Sequence, residues 1–457
     1  MIFSSFTFLL LFMPCVLLGY RFMPARLRMP FLLTASLLFY GWGNPAWLLL
    51  IAFSMVMNWG GVLLMTRKKG KPSRAVLCAL IVLNLLPLVW FKYSGLLAET
   101  WASVAGRQNT FDAPMLPAGI SFFTFQAMSY VIDVYRGDAK PQRNIVLFSV
   151  YLSLFPQLVA GPIVRYTDLE AQLAARPKPE WAETREGLRR FCTGLAKKVL
   201  LADAMGRLWG SLNGDFTQAG ALGAWIGLLA FSFQIFFDFA GYSDMAIGLC
   251  RGMGFRIPEN FDRPYRAENL TDFWRRWHMT LTEWFKVYVY IPLGGSRKGR
   301  ARRDLNVLVV WVLTGLWHGA GWNFVLWGLY FALLLVLEKR FLLQNARWGK
   351  IPGWIRRALT FLAVMLGWGL FSRFGFDARL WTALAGGYGT GSAETLLACA
   401  AYGPLLLLCA VISFCPAPKK TNKPLLLVRR FAAPVLMILC LAALAAQGYE
   451  PFVYFQF

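Results

Sequence analysis

Ala46-Trp47-Leu48-Leu49-Leu50-Ile51-Ala52-Phe53-Ser54-Met55-Val56-Met57-Asn58-Trp59-Gly60-Gly61-Val62-Leu63-Leu64-Met65 runs without a single charge and meets Thr66-Arg67-Lys68-Lys69-Gly70-Lys71 at its end. An apolar helix of roughly 20 residues crosses the hydrocarbon core of a bilayer, and a basic cluster at its end marks the cytoplasmic side. The composition of the whole chain agrees with this stretch. Of 457 residues, 57% are hydrophobic and only 15% charged, against about 45 to 50% and about 25% in soluble domains. A water-soluble globule and a disordered chain are both excluded.

The net charge of +24 comes from 47 Lys and Arg against 23 Asp and Glu. In a soluble protein it would suggest nucleic acid. Here the basic residues fall in short stretches between apolar runs, so they report topology and contact with anionic lipid headgroups. The 8 cysteines lie mostly in or beside apolar runs without metal-ligand spacing, so neither a disulfide framework nor a metal site is expected. No basic n-region or small-residue cleavage site marks the first segment, which is read as a retained span.

Further candidate spans are residues 3–20, 31–42, 75–91, 118–135, 145–164, 222–239, 306–316 with its continuation, 322–337, 359–371, 396–414 and 431–446. The second is short and leads into the turn signal Gly43-Asn44-Pro45. Arg21, Arg26 and Arg28, then Arg67 to Arg74, then Lys419, Lys420, Lys423, Arg429 and Arg430 place their loops in the cytoplasm and both termini outside. An even number of crossings follows. Residues 145–164, interrupted by Pro156 and Pro162, are expected to dip in and return, and residues 240–255 to form a weak return span. About eleven or twelve crossings result.

Two central stretches read as interfacial or re-entrant helices. In the first, Trp181, Leu188, Phe191, Leu195 and Val199 form an apolar stripe, with Arg189, Arg190, Lys197 and Lys198 assigned elsewhere on the wheel. In the second, residues 269–290, one face carries Trp274, Trp277, His278, Leu281 and Phe285.

The chain has 2 histidines, His278 and His318. His318 sits in Leu313-Thr314-Gly315-Leu316-Trp317-His318-Gly319-Ala320-Gly321-Trp322-Asn323. An ionisable group at membrane depth is costly and marks function by default, and imidazole takes a hydroxyl proton near neutral pH. The alternative is a neutral histidine bonded across a helix interface, with glycines serving packing. His278 alone reads more simply as an amphipathic ring on an interfacial helix. Asp238 and Asp244, six residues apart, are not a paired acid/base device; they are read as structural or tunnel-lining, with partners in the basic stretch 251–276. Arg165 either binds an anionic headgroup or ligand phosphate or anchors the loop. The basic loop Gly294-Gly295-Ser296-Arg297-Lys298-Gly299-Arg300 reads as a solvated turn. Nucleotide-binding, zinc and hydrolase-elbow signatures are absent.

Six ordered motifs resemble those of the membrane-bound O-acyltransferase superfamily. They are Leu116-Pro117-Ala118-Gly119-Ile120-Ser121-Phe122-Phe123, Ala160-Gly161-Pro162-Ile163, Asp238-Phe239-Ala240-Gly241-Tyr242-Ser243-Asp244, Asn260-Phe261, Phe273-Trp274-Arg275-Arg276-Trp277-His278 and Leu316-Trp317-His318-Gly319. The resemblance is closest to the bacterial branch that O-acetylates alginate or peptidoglycan. It implies an all-α polytopic bundle, one integral domain (1–115 N-terminal spans, 116–340 catalytic core, 341–457 C-terminal spans) with a central tunnel, in the bacterial inner membrane. It also implies His318 as catalytic base and His278 as its assistant, orienting the donor or holding the reacting carbonyl. Trp317, Trp322, Asn323, Asp238, Asp244 and Arg165 are the further substrate or tunnel candidates. No permanently bound cofactor is expected; acetyl-CoA is the implied donor, an exported polysaccharide the acceptor, and a periplasmic acyltransferase the partner. D-alanyl transfer from a carrier-protein thioester to teichoic acid, acyl-group transport without chemistry, and a scaffold role are the alternatives.

Overall fold

The computed structural model describes residues 1–67, 71–416, 423–448 and 450–452, and every regular element among them is helical. Among the described residues, five helices are long and apolar enough to cross a bilayer: Trp47–Met65, Arg74–Val104, Phe216–Gly252, Gly353–Phe371 and Ala393–Phe414. Thr7–Phe22 and Phe431–Ala446 are shorter apolar helices. The protein is an all-α, multi-pass membrane protein. Lys68, Lys69, Lys419 and Lys420, on which the orientation partly rests, lie outside the described residues, as do Tyr449 and residues 453–457.

The chain gathers into two compact units, Met1–Leu195 with Tyr242–Glu259, and Ala196–Gly241 with Asn260–Phe457. In the first, the Trp47–Met65 and Arg74–Val104 helices are pinned by a reciprocal amide pair. Asn58 Nδ2 donates to Asn84 Oδ1 at 3.0 Å, and Asn84 Nδ2 to Asn58 Oδ1 at 2.7 Å. Such pairs join helices where lipid offers no alternative partner. Residues 145–164 are interrupted as the prolines predict. Helix Ile145–Ser153 stops before Leu154, a short turn Phe155–Leu158 follows, and the freed Phe155 N–H donates to Ser36 Oγ at 3.2 Å. Broken backbone at membrane depth must be satisfied in this way by protein groups.

The amphipathic helix forms as Trp181–Ala196 and continues through a π-helical turn, Lys197–Ala202. Phe191, Leu195 and Val199 are buried, but Trp181 is exposed and stacks under Arg21, whose guanidinium carbon lies 3.7 Å from the ring centre. Lys198 corrects the wheel assignment, because it is buried too. It follows Phe191 by seven residues, about two turns, and therefore shares the apolar face.

Two further expectations change. Residues 240–255 do not form a separate return span: they continue the helix that runs from the kink at Gly220, where the backbone is non-helical, to Gly252. Gly241 and Ser243 weaken a helix without stopping it when Phe239, Ala240, Tyr242 and Met245 around them are buried. Residues 269–290 are not one helix but two, Leu270–Arg276 and Met279–Phe285, broken at Trp277 and His278. The predicted face survives the break, since Trp274, Trp277, His278, Leu281 and Phe285 are all buried.

Candidate active site

His318 is the last residue of helix Arg300–His318. Gly319, in extended backbone, turns the chain toward Trp322–Leu337. These two helices touch backbone to backbone. A Cβ added at Gly315 would lie 2.2 Å from the Phe324 carbonyl oxygen, and one at Gly319 would lie 2.0 Å from the Phe324 ring. Both glycines thus serve helix approach, which seats the imidazole beside the next helix. The His318 ring is buried among aromatic edges, its centroid 5.1 Å from Trp317, 5.1 Å from Trp327 and 5.3 Å from Phe371. Trp327 is itself backed by Trp311, Phe331 and Trp368 at 5.6, 5.4 and 6.1 Å. Packing of this kind fixes ring orientation and excludes water.

His278 reaches the same indole from another element. Helix Leu270–Arg276 is started by Asn269, whose Oδ1 accepts from Asp272 N at 2.8 Å, and by the buried Glu338 carboxylate, which accepts from Leu270 N at 2.6 Å and Thr271 N at 2.9 Å. A carboxylate at a helix N-terminus is favoured by the free N–H groups there. After Trp277 the backbone of His278 turns left-handed, at φ 43°, a conformation uncommon outside glycine and held by surrounding contacts. Those contacts come from Asn260, whose carbonyl oxygen accepts from Met279 N at 2.9 Å and whose side chain lies 3.0 Å from His278 Nδ1. The His278 ring packs edge-on to Phe239 at 4.7 Å and lies 5.7 Å from Trp317. Trp317 therefore touches both imidazoles. Burial lowers the His278 pKa to about 3 and keeps the ring neutral.

The other candidates are placed as follows. Asp238 is buried and paired with Lys198 Nζ at 2.9 Å; Asp203 shares the same ammonium at 2.6 Å. Asp244, in the first unit, is held by Arg190 Nε at 3.0 Å and Nη2 at 2.9 Å. The sequence points to partners within 251–276; the structure supplies Lys198 and Arg190 instead. The reason for Asp244 is a close crossing, since a Cβ on Gly187 would lie 2.4 Å from the Gly248 carbonyl oxygen. In the expected stretch, Arg251 instead pairs with Glu183 at 2.6 Å and Arg276 with Asp272 at 2.9 Å. Arg165, also in the first unit, precedes helix Tyr166–Ala175, and Asp168 in its first turn accepts from the Arg165 N–H at 3.2 Å and from its guanidinium at 3.4 Å. Trp322 is exposed. Asn323 Nδ2 donates to the carbonyls of Phe371 at 3.2 Å and Ser372 at 3.3 Å, closing the end of helix Gly353–Phe371. His278, His318 and Trp317 come together, while Trp322 and Asn323 serve the flank of the same turn.

Sequence reasoning missed the parts played by Asn260, Phe239, Trp327 and Phe371. Asn260 was visible only as part of a motif, and nothing local links it to a histidine eighteen residues on. Trp327 was legible as an aromatic within a span, where core packing is the ordinary reading.

The family model described as MBOAT, membrane-bound O-acyltransferase family, matches residues 143–368, which include both histidines. A probable alginate O-acetylase of Azotobacter vinelandii is 38% identical over 399 residues, covering 84% of this chain and 78% of the relative. A probable alginate O-acetylase of Pseudomonas putida is 34% identical with 100% of each chain covered. A peptidoglycan O-acetyltransferase of Helicobacter pylori is 30% identical, covering 83% of this chain and 78% of the relative.

Proposed function

The chain belongs to the membrane-bound O-acyltransferase family, and we propose that, as an O-acyltransferase of that family, it moves acetyl groups from cytoplasmic acetyl-CoA toward an exported cell-envelope polysaccharide, with His318 as the base. The observation that carries this reading is the seating of His318. It sits at a tight helix-to-helix turn, walled by Trp317, Trp327 and Phe371, with a second imidazole against the same Trp317 indole. The acceptor oxygen attacks the thioester carbonyl carbon while a His318 ring nitrogen takes its proton. The new C–O bond forms, the C–S bond breaks, and the proton passes from imidazolium to thiolate, leaving an acetyl ester and free CoA thiol. An aromatic enclosure keeps water from the thioester and strengthens polar stabilisation of the developing oxyanion.

The protein acts in this reading from the inner membrane, N-terminus outside, and hands the acetyl group on with an extracytoplasmic acyltransferase partner. The names of the alginate and peptidoglycan relatives support an envelope-polymer acceptor. The test is turnover of labelled acetyl-CoA by the purified protein in lipid nanodiscs. His318→Ala is expected to lower it by roughly 10²- to 10⁴-fold, the span general-base groups contribute, with an unchanged elution profile. Undiminished turnover in that variant removes His318 from the chemistry. Absence of turnover in the parent, with activity toward a D-alanyl carrier thioester, transfers the reading to that donor; inactivity toward both favours a transporter or scaffold.

A further inference from the structure

Asn260 is buried on the non-helical stretch that precedes helix Leu270–Arg276. Its Oδ1 faces three groups: the Thr280 backbone N at 3.3 Å, Thr280 Oγ1 at 2.9 Å and His278 Nδ1 at 3.0 Å. A backbone N–H only donates, so the atom in front of it is the carbonyl oxygen and the Asn260 amide cannot be turned over. An amide oxygen only accepts, and this makes Nδ1 the protonated nitrogen of His278. In a neutral imidazole the lone pair then sits on Nε2. That atom is buried and has no hydrogen-bond partner among the described residues. Buried acceptors are seldom left so, and those that are call for a functional explanation.

We propose that Asn260 is a positioning residue that holds His278 as the Nδ1–H tautomer, so that Nε2 accepts a hydrogen bond from an O–H or N–H of bound substrate. This deepens the function proposed above and rests on it for the presence of substrate. A nitrogen without hydrogen cannot donate to a carbonyl oxygen, so His278 orients substrate and does not hold the reacting carbonyl. Two substrate groups have the required chemistry: the acceptor hydroxyl, and the amide N–H groups of the pantetheine arm of CoA. The left-handed turn at His278 and the two Thr280 contacts make the arrangement rigid, as the groups that orient functional imidazoles generally are.

The chain's 2 histidines make the test direct. In protein labelled with ¹⁵N-histidine, the nitrogen spectrum holds two imidazoles, and His318→Gln leaves His278 alone. The expected spectrum has Nδ1 protonated and Nε2 unprotonated. Asn260→Asp, which keeps an acceptor oxygen, retains that pattern; Asn260→Leu loses it and lowers kcat/KM roughly 10- to 100-fold, the size of effect seen when a hydrogen bond that orients a functional imidazole is removed. A thioether analogue of acetyl-CoA that shifts Nε2 by itself identifies the pantetheine amide as donor, whereas a shift only with a short uronate oligosaccharide identifies the hydroxyl. A protonated Nε2 in the wild-type protein overturns the assignment, as does an Nε2 resonance that neither ligand moves or a tautomer unchanged in Asn260→Leu. If Asn260→Leu does not fold, the wild-type and Asn260→Asp spectra still decide. The tautomer is read without turnover, so its failure is separable from failure of the acetyl-CoA reading.

Discussion

Gly315→Ala is the smallest change that tests whether helix approach positions His318. The added methyl carbon would lie 2.2 Å from the Phe324 carbonyl oxygen and 3.0 Å from its carbonyl carbon, where ordinary contact begins at 3.4 Å. Both neighbours are backbone, so neither can swing aside, and the two helices must part by about 1 Å to restore contact. Overpacking of this size costs roughly 1–3 kcal/mol, partly offset by the about 1 kcal/mol that alanine contributes over glycine in a helix. The net stability loss is therefore small, at most ~2 kcal/mol. Activity responds more steeply. His318 follows Gly315 by less than one turn, and a 1 Å misplacement of a reacting group costs on the order of 10² in rate. The control is Gly60→Ala, because a Cβ at Gly60 in helix Trp47–Met65 meets nothing within 4 Å. Acetyl-CoA turnover and thermal unfolding, both in nanodiscs, are measured for parent and variants. Gly315→Ala turning over at the parental rate, or Gly60→Ala failing equally, refutes the reasoning.

Lys198 bridges two buried carboxylates at 2.6 and 2.9 Å, and removing it strands them in each other's field. Lys198→Met is expected to lower stability by roughly 3–5 kcal/mol, with most of the loss regained when Asp203→Asn and Asp238→Asn are added; thermal unfolding of the single and triple variants checks this. The Asn58–Asn84 pair predicts non-additivity. Asn58→Leu or Asn84→Leu alone leaves a buried amide unmatched and costs about 1–3 kcal/mol, while the double variant costs less than the two singles combined. Unfolding of all four proteins gives the coupling, and strict additivity would contradict the pairing.

Much of the bundle was legible because lipid imposes one rule, that spanning backbone satisfies itself, and apolar runs follow from it. Residues 46–65 and 396–414 correspond closely to helices Trp47–Met65 and Ala393–Phe414. Where expectation failed, the rule was silent. Residues 240–255 read as a return span because two external termini demand an even number of crossings, yet Asp244 sits inside a helix that runs on through this stretch, with its charge met by Arg190. The wheel reading sets Lys198 apart from the apolar stripe, although its spacing of seven from Phe191 puts it on the buried side. In the fold Asp203 and Asp238 meet its charge on that side.

His318 and His278 differ in the same way. His318 stood out because an imidazole inside an apolar run is expensive wherever it sits, so its position alone argued for use. His278 reads as an ordinary interfacial ring as long as residues 269–290 form one helix, since a helical histidine there needs no partner. The break at Trp277 changes that. It points the ring inward against Phe239 and Trp317, and it exists because Asn260 binds the Met279 N–H, the Thr280 N–H and the imidazole together. A non-helical segment carries no period, so nothing along the chain could announce that Asn260 faces His278. The tautomer of His278, and with it the role of Nε2 as an acceptor toward substrate, is thus set by a contact that only the folded chain contains.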